Sequence, residues 1–519
     1  MLRARTLPAP RRMVILVVSA VIAVAGIDLS ARQGASEVSA TSVGPAVVPA
    51  VPDPPNIVLV TTDDQRADDL RWMPRTRARL GRRGITFRRM LSPHPLCCPA
   101  RAEILTGQYG QNNGVLSNGG RWGGYKRLDE DHTLATWLSA AGYHTAFAGK
   151  HLNRYRARAG RDPGWTRFNP LVGGVYRYTT FTAWNDGRRQ RGRYLTDYLS
   201  RKSRRYVRRF AADDKPFFIW TSYVAPHASR HPCGRGGKLR CGAPPIPARR
   251  HRHLYPHAVP PSFRSPAFNE KNVSDKHPEV RDNRKLLRSR IRRLHLARIR
   301  SLGAVDEAVA ALIRTLRRTG ELRNTFVLFT SDNGHQMGEH RLVTKNQPFE
   351  ESLRVPLLVR GPRVPAGRVV HQSSALVDLA VTILDLARAE ADLVVDGQSL
   401  VRLLRAPGTA RHRGDTQLIQ AGPRLGRGPR WFFRGVRTAR YTYARYGNGG
   451  FRELYDRRRD PAQLRNVARS RSYRAVVAEL ERRTRQLEDC EGRACNVRFG
   501  RMPRRADPQP PDSDVRPAP

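Results

Sequence analysis

The sequence predicts an α/β protein: a large, mostly parallel sheet flanked by helices, with a small antiparallel subdomain near the C-terminus. Three observations point there. From Pro55 onward, strand-like and helix-like segments alternate, the pattern that packs helices on both faces of a parallel sheet. Strand-like runs are continuously apolar rather than alternating, as strands buried on both faces are. From Asp415 the texture changes to short aromatic, alternating runs around Trp431-Phe432-Phe433 and Tyr441-Thr442-Tyr443, closed by a helix-like stretch at 473–488.

Four runs carry the argument. Asn56-Ile57-Val58-Leu59-Val60 ends in Thr61-Thr62-Asp63-Asp64. His144-Thr145-Ala146-Phe147-Ala148 runs into Gly149-Lys150. Pro216-Phe217-Phe218-Ile219-Trp220 continues to Ala225-Pro226-His227. Thr325-Phe326-Val327-Leu328-Phe329 runs into Ser331-Asp332-Asn333-Gly334. Open α/β sheets bind ligands outside the carboxyl ends of their strands, so four polar or titratable strand ends predict one site on one edge. Between them lie a Pro-, Arg- and His-rich insertion at 228–285 and a helix-like stretch from Leu294 to Arg318. Long insertions in compact domains are usually functional or disordered. The expected organisation is a signal peptide or signal anchor at 1–27, a linker at 28–54, a catalytic domain at 55–410, the C-terminal subdomain at 411–500, and a proline-rich, disordered tail at 501–519.

With 39% apolar residues the chain has enough material for a core and is not a disordered protein. Its net charge is +50, yet only nine lysines stand among 94 basic residues. That arginine skew fits a GC-rich coding sequence more than one polyanion-binding surface, and the arginines are scattered rather than gathered in a nucleic-acid motif, so no nucleic-acid partner is expected. Arginines precede an apolar run from Met13 to Ile27 that ends near Ala23-Val24-Ala25, an export signal with a cleavage site. A secreted or cell-surface protein follows, attached to a membrane only if that segment is retained. Six cysteines suit an oxidising compartment. Cys233 with Cys241, and Cys490 with Cys495, each flank a short loop and read as local disulfides. Cys97 and Cys98 are left over.

Two clusters carry chemistry. Asp63, Asp64, Asp332 and Asn333 are oxygen ligands at two strand ends, a set that suits hard cations, calcium or magnesium above zinc. Either pair alone reads as an ordinary turn; together they read as a metal site. The second is Cys97-Cys98-Pro99-Ala100-Arg101, followed by Leu105-Thr106-Gly107. Pro99 suits a first helical position, which puts Cys97 at a helix N-terminus, where the dipole favours negative charge and lowers a thiol pKa.

Cys97-x-Pro99-x-Arg101 with Leu105-Thr106-Gly107 resembles the signature of the formylglycine-dependent sulfatases, members of the alkaline-phosphatase-like superfamily. The resemblance runs from residue 55 to about 470, through Gly338-Glu339-His340, Lys345, Arg354-Val355-Pro356, Glu453-Leu454-Tyr455-Asp456 and Asp460-Pro461. Cys97-Cys98-Pro99 and the stretch from Phe268-Asn269-Glu270 to Asp275-Lys276 look closest to N-acetylglucosamine-6-sulfatases and their bacterial relatives. The resemblance implies that a maturation enzyme oxidises Cys97 to formylglycine (3-oxoalanine), whose hydrate attacks sulfur, and that Asp63, Asp64, Asp332, Asn333 and residue 97 bind calcium. Arg101, Lys150 and Lys345 would neutralise the sulfate, and His227 or Lys345 would protonate the leaving alcohol. A sulfated glycan is the implied substrate, with the insertion arginines, among them Arg230, Arg235, Arg249, Arg250 and Arg252, over the metal edge to meet its further anions. Two positions depart from the pattern. Ala100 stands where serine is commonest, and Lys150-His151 stands where many sulfatases carry Lys-x-His, which leaves His151 a tentative site residue. Two other readings remain open: a phosphatase or phosphonate hydrolase of the same superfamily, and a polyanion-binding protein that is never matured.

Overall fold

The computed structural model describes residues 54–233, 239–410, 414–423, 430–447 and 450–506, without the side chains of 232–233 and 239–241. The expected export segment, nearly all of the linker, the tail from 507 and the Cys233–Cys241 pairing lie outside what is described.

Ten strands form the main sheet. In chain order they are β1 (Asn56–Thr62), β2 (Ile85–Leu91), β3 (His144–Gly149), β4 (Arg167–Gly173), β5 (Phe181–Asn185), β6 (Arg188–Gly192), β7 (Phe217–Ser222), β10 (Thr325–Ser331), β11 (Leu357–Arg360) and β12 (Arg368–Ala375). Their spatial order is β12-β2-β11-β10-β1-β7-β3-β4-β5-β6. The five strands from β10 to β4 are parallel neighbours, while β11 runs antiparallel to both its neighbours and β5 and β6 extend the other side as antiparallel strands. Between β7 and β10, Ser229–Cys233 (β8) and Leu239–Ala243 (β9) pair as a separate hairpin.

Strand β1 shows why the continuous apolar pattern works. All seven of its residues are buried. Ile57 and Leu59 enter one core, packed with the helices Cys97–Thr106, Leu134–Ala140 and Asp378–Ala387. Val58 and Val60 enter the opposite core, with Leu302, Val305, Val309 and Leu316 of the helix Arg288–Arg318 and Leu199 and Val207 of the helix Leu195–Phe210. Successive strand residues face opposite ways, so a strand between two helical layers needs apolar residues at every position. Each fully buried aliphatic side chain contributes about 1.5–3 kcal/mol relative to exposure.

A second sheet is a four-stranded antiparallel meander of β13 (Gln417–Ala421), β14 (Phe433–Arg437), β15 (Tyr441–Tyr446) and β16 (Phe451–Asp456). The helix Arg474–Glu488 packs on it through Val476, Leu480 and Leu487, and Cys490 and Cys495 are bonded beyond that helix.

The insertion departs from expectation in part; its Arg235 lies outside the described residues. Its turn at Arg249–His251 does not serve the metal edge. Arg250 is held by Asp197 and Glu307, each at 2.7 Å, and His251 reaches Glu307 at 3.1 Å. The acids of two helices have taken up this basic turn. The stretch after it returns to the sheet edge, where Phe268 bridges Glu339 and the amide of Asn269 donates to the Gly338 carbonyl.

Candidate active site

The parallel centre of the sheet brings its strand ends together. Asp63 and Asp64 follow β1, Asp332 and Asn333 follow the adjacent β10, His227 lies five residues past β7, and Lys150 follows β3. Cys97 opens the helix Cys97–Thr106, which starts six residues after β2. Pro99 is thus the third helical residue, two places later than its sequence preference indicated. Asp64 occupies the left-handed region, at φ 66°, a conformation aspartate enters more readily than most residues. Gly149, at φ 128°, has no room for a side chain, because a Cβ would lie 1.9 Å from the Ser222 carbonyl oxygen. That close approach seats Lys150 beside β7.

Six charged groups interlock. Lys150 Nζ donates to Asp63 Oδ2, and Lys345 Nζ donates to Asp64 Oδ1. Lys345 also lies 2.8 Å from Cys97 Sγ, and Cys97 Sγ lies 3.5 Å from Asp63 Oδ1. Arg101 donates to Asp332 Oδ2 through Nε at 3.0 Å and Nη2 at 2.9 Å, and its Nη1 reaches the Lys150 carbonyl and Ser222 Oγ. Three carboxylates thus face three cations, a formal balance of zero. Asn333 Nδ2 donates to Asp64 Oδ1 at 2.7 Å, and the Asp64 amide donates to Asp332 Oδ1 at 3.2 Å. His227 Nε2 stands 3.7 Å from Asp64 Oδ2.

Burial and charge compete throughout. Burial alone would raise Asp63 and Asp64, but Lys150 beside the first and Lys345 beside the second hold both below the usual carboxylate range. Asp332 goes the other way, to about 6, because burial and the Asp63 charge outweigh Arg101. Burial pulls His227 down to about 4. The Cys97 thiol is pushed up by burial and by Asp63, in spite of its helix N-terminus and two lysines. The lowered thiol pKa expected from the helix position is therefore not found.

A cation fits this donor set. Ligand atoms of Asp63, Asp64, Cys97 and His227 all lie within 4.8 Å of one another. Asn333 Oδ1 is buried without a hydrogen-bond partner among the described residues, an arrangement that costs free energy unless something fills it. His227 Nδ1 is 2.7 Å from the Ala228 carbonyl and so carries the proton there, which leaves Nε2 an acceptor facing the Asp64 carboxylate. Two acceptors face to face call for a positive charge between them.

The tentative site residue His151 and the unassigned His340 lie elsewhere. His151 is buried among Tyr125, Phe147, Tyr155 and Phe168, with Nδ1 accepting from the Leu152 amide and Nε2 2.9 Å from Asp162. Its ring packs behind the sheet edge because the residue after Lys150 turns away from it. His340 stacks on Phe349 at 4.0 Å, with Nδ1 2.6 Å from Glu270. Several neighbours escaped the sequence reading. Ser222 ties Arg101 to the Lys150 carbonyl. Tyr176 stacks on His227 at 4.2 Å, and Asn118 Oδ1 accepts from the Cys98 amide at 2.9 Å. No local pattern marks them; each is a single polar residue, Ser222 at the end of β7 and the other two in loops, apart along the chain from its partner.

The model of the family described as Sulfatase matches residues 55–389, and that described as N-sulphoglucosamine sulphohydrolase, C-terminal, matches residues 338–490. The N-acetylglucosamine-6-sulfatase of Capra hircus is 30% identical, over 88% of this chain and 86% of that protein. The extracellular sulfatase SULF-1 homolog of Drosophila melanogaster is 32% identical over 67% of this chain, which spans 31% of that longer protein. Among solved structures, one in complex with its substrate D-glucosamine-2-N,6-O-disulfate aligns with a TM-score of 0.67 at 22% identity, covering 83% of this chain and 97% of that one. The phosphonate monoester hydrolase of Agrobacterium radiobacter aligns with a TM-score of 0.59 at 20% identity, covering 83% and 94%. At these identities the structural likeness shows the fold alone.

Proposed function

The chain belongs to the sulfatase family of sulfuric ester hydrolases, and we propose that it removes sulfate from sulfated sugars of the N-acetylglucosamine-6-sulfate kind. One observation carries the reading: Cys97 Sγ sits at the head of a buried helix, 2.8 Å from Lys345 and 3.5 Å from Asp63, on the edge where Arg101 and Lys150 also converge. In this reading a formylglycine-generating enzyme converts Cys97 to formylglycine, whose hydrate supplies the nucleophilic oxygen. Calcium is the proposed metal, held by Asp63, Asp64, Asp332, Asn333 and residue 97, and it supplies positive charge where the sulfate binds.

The chain's own residues prepare the site. Without metal the six charged groups balance. A divalent cation makes the edge net positive and fit for a sulfate ester, whose charged oxygens otherwise repel a nucleophile. Lys150 and Lys345 bring donors to that position, and Arg101 fixes Asp332 and the Lys150 carbonyl, so the donors are oriented before the transition state forms. Lys345, beside Cys97 and Asp64, is the titratable group that can protonate the leaving alcohol, and His227 can do so only after gaining a proton at Nε2.

Among the described residues no helix is long and apolar enough to cross a membrane. Export to the medium or the cell surface rests on the N-terminal segment, and it agrees with the likeness to the extracellular sulfatase of the fly. A second reading is attack on phosphorus esters, the activity named for the phosphonate monoester hydrolase that shares this fold. Two measurements test the assignment: peptide mass spectrometry for the thiol-to-aldehyde conversion at Cys97, and the ratio of kcat/KM for 4-nitrophenyl sulfate to that for 4-nitrophenyl phosphate. An aldehyde with a ratio above one supports the sulfatase. An unmodified, inactive chain leaves a polyanion-binding protein.

A further inference from the structure

A cavity of about 340 Å³ opens beside Lys150, with Asn118, Asn153, Arg154, Tyr176 and Arg230 in its walls. It adjoins the reaction edge through one ring. Tyr176 stacks on His227 at 4.2 Å, carries the Lys150 ammonium at 5.0 Å from its centroid, and carries the Arg230 guanidinium at 5.2 Å. Its hydroxyl donates to Asn153 Oδ1 at 3.2 Å, and the Asn153 amide donates to Cys98 Sγ at 2.9 Å. The cavity wall is therefore bonded to the helix that presents Cys97.

Arg154 holds the unusual position. Its φ is 74°, a region arginine enters only when its surroundings impose it. Its side chain lies along two glycines: a Cβ on Gly119 would come 3.1 Å from Arg154 Nε, and one on Gly124 would come 3.2 Å from its Cγ. The loop at 119–124 thus leaves a groove in which this arginine lies. The other arginines at the edge are paired, Arg101 with Asp332, Arg66 with Glu339 and Arg298 with Asp69. Among the described residues, neither Arg154 nor Arg230 has a carboxylate within salt-bridge distance. Two guanidiniums without counter-ions share a cavity that begins where the reacting sulfate would end. Guanidinium forks match sulfate and carboxylate oxygens two at a time, and the volume is at the small end of ligand sites, suited to one sugar ring.

We propose that Arg154 and Arg230 form a subsite for a second anionic group, sulfate or carboxylate, on the sugar whose sulfate ester is cleaved. This rests on the sulfatase reading and narrows the substrate to sugars bearing two anions. The test compares D-glucosamine-2-N,6-O-disulfate, N-acetylglucosamine-6-sulfate and a disaccharide that joins the latter to a uronate, in the wild type and in Arg154→Ala, Arg230→Ala and the double variant. The wild type should prefer the disulfate over the monosulfate in kcat/KM. Each single variant should cut that preference about tenfold, mainly through KM, as loss of a charge-assisted hydrogen bond does, and the double variant should erase it. A loss confined to the disaccharide would put the second anion on a neighbouring sugar and overturn the subsite as proposed. Equal kcat/KM for mono- and dianionic sugars in the wild type overturns the subsite, as does a preference the arginine variants leave unmoved. Arg154→Gly, which removes the backbone strain, serves if the alanine variant fails to fold. If no sulfate ester is turned over, the sulfatase reading fails; calorimetric binding of the disulfate to the wild type and the double variant then still decides the subsite.

Discussion

Two of the clusters that hold carboxylates among cations in this molecule are built to opposite ends. Near the second sheet, Glu350 accepts from Arg437 Nε at 2.6 Å and Nη2 at 2.9 Å, with Arg457 at 3.6 Å and Arg354 at 3.9 Å. Both of its oxygens are spent. At the reaction edge, Asp63 and Asp64 are buried against cations, yet among the described residues Asn333 Oδ1 has no partner and His227 Nε2 faces a carboxylate. In the first cluster the carboxylate itself is fully met by the chain's own arginines. The other completes itself only with something bound. Charge pairing is common to both and does not mark a site; an unfilled acceptor beside paired carboxylates and an imidazole nitrogen does.

The largest effect that would sharpen this contrast is at Cys97. Cys97→Ala should reduce sulfate ester turnover by on the order of 10³-fold or more, with little change in melting temperature, because the thiol packs at a helix start and bonds to nothing the core needs. Cys98→Ala should remain active. An inactive Cys98→Ala beside an active Cys97→Ala would reverse the assignment. Metal removal comes next. Chelation should lower turnover strongly, and calcium should restore it. Calcium at 100 times its Kd should also stabilise the wild type by about 2.7 kcal/mol, seen as a rise in melting temperature. Asn333→Ala should shrink that rise, while a change at Glu350 should not. A rise that Asn333→Ala leaves intact would place the cation elsewhere.

The reaction edge was largely legible in the sequence, for a physical reason. Strands buried on both faces must be apolar throughout, so Asp63, Lys150, His227 and Asp332 stand out where each run stops, and parallel pairing brings such stops to one edge. The small sheet was legible through its aromatic alternation. What stayed hidden depends on tertiary contact. His151 was a tentative site residue because it stands one place before the histidine of the family's Lys-x-His, yet its ring turns into an aromatic cluster. Arg250 looked like a glycan contact by charge, yet Asp197 and Glu307 had claimed it. Tyr176 and Ser222 carry no pattern at all. Charge in a sequence says that a partner exists; only the fold says which.

The third test addresses the self-contained cluster. Glu350→Ala strands Arg437, itself buried, without its counter-ion, and breaking one side of a buried pair costs about 3–5 kcal/mol. Urea unfolding should show that loss, while kcat at low temperature stays near that of the wild type. A large fall in kcat with stability intact would make Glu350 part of the reaction machinery and dissolve the distinction drawn above.

The smallest effect is a pH dependence of that same pair. Burial alone would raise the Glu350 carboxyl above its ordinary value of 4.5, but Arg437 and Arg457 hold it well below. Its folded pKa is thus lower than its unfolded one. Between the two values the unfolded chain binds more protons, so stability rises with pH there. The contribution is fully present above about pH 4.5 and is lost as pH falls through the folded value. Asp63 and Asp64 are lowered as well and titrate in the same direction, so the acid loss of the wild type alone cannot be assigned to one residue. The difference between wild type and Glu350→Gln can. The glutamine keeps the shape and loses the charge, and it should be less stable than the wild type at pH 6. That gap should narrow steadily as unfolding is repeated at pH 4.5, 4 and 3.5. A gap constant across this range would mean that the arginines contribute to Glu350 by hydrogen bonding and packing alone, and that the contrast between the two clusters is one of geometry rather than charge.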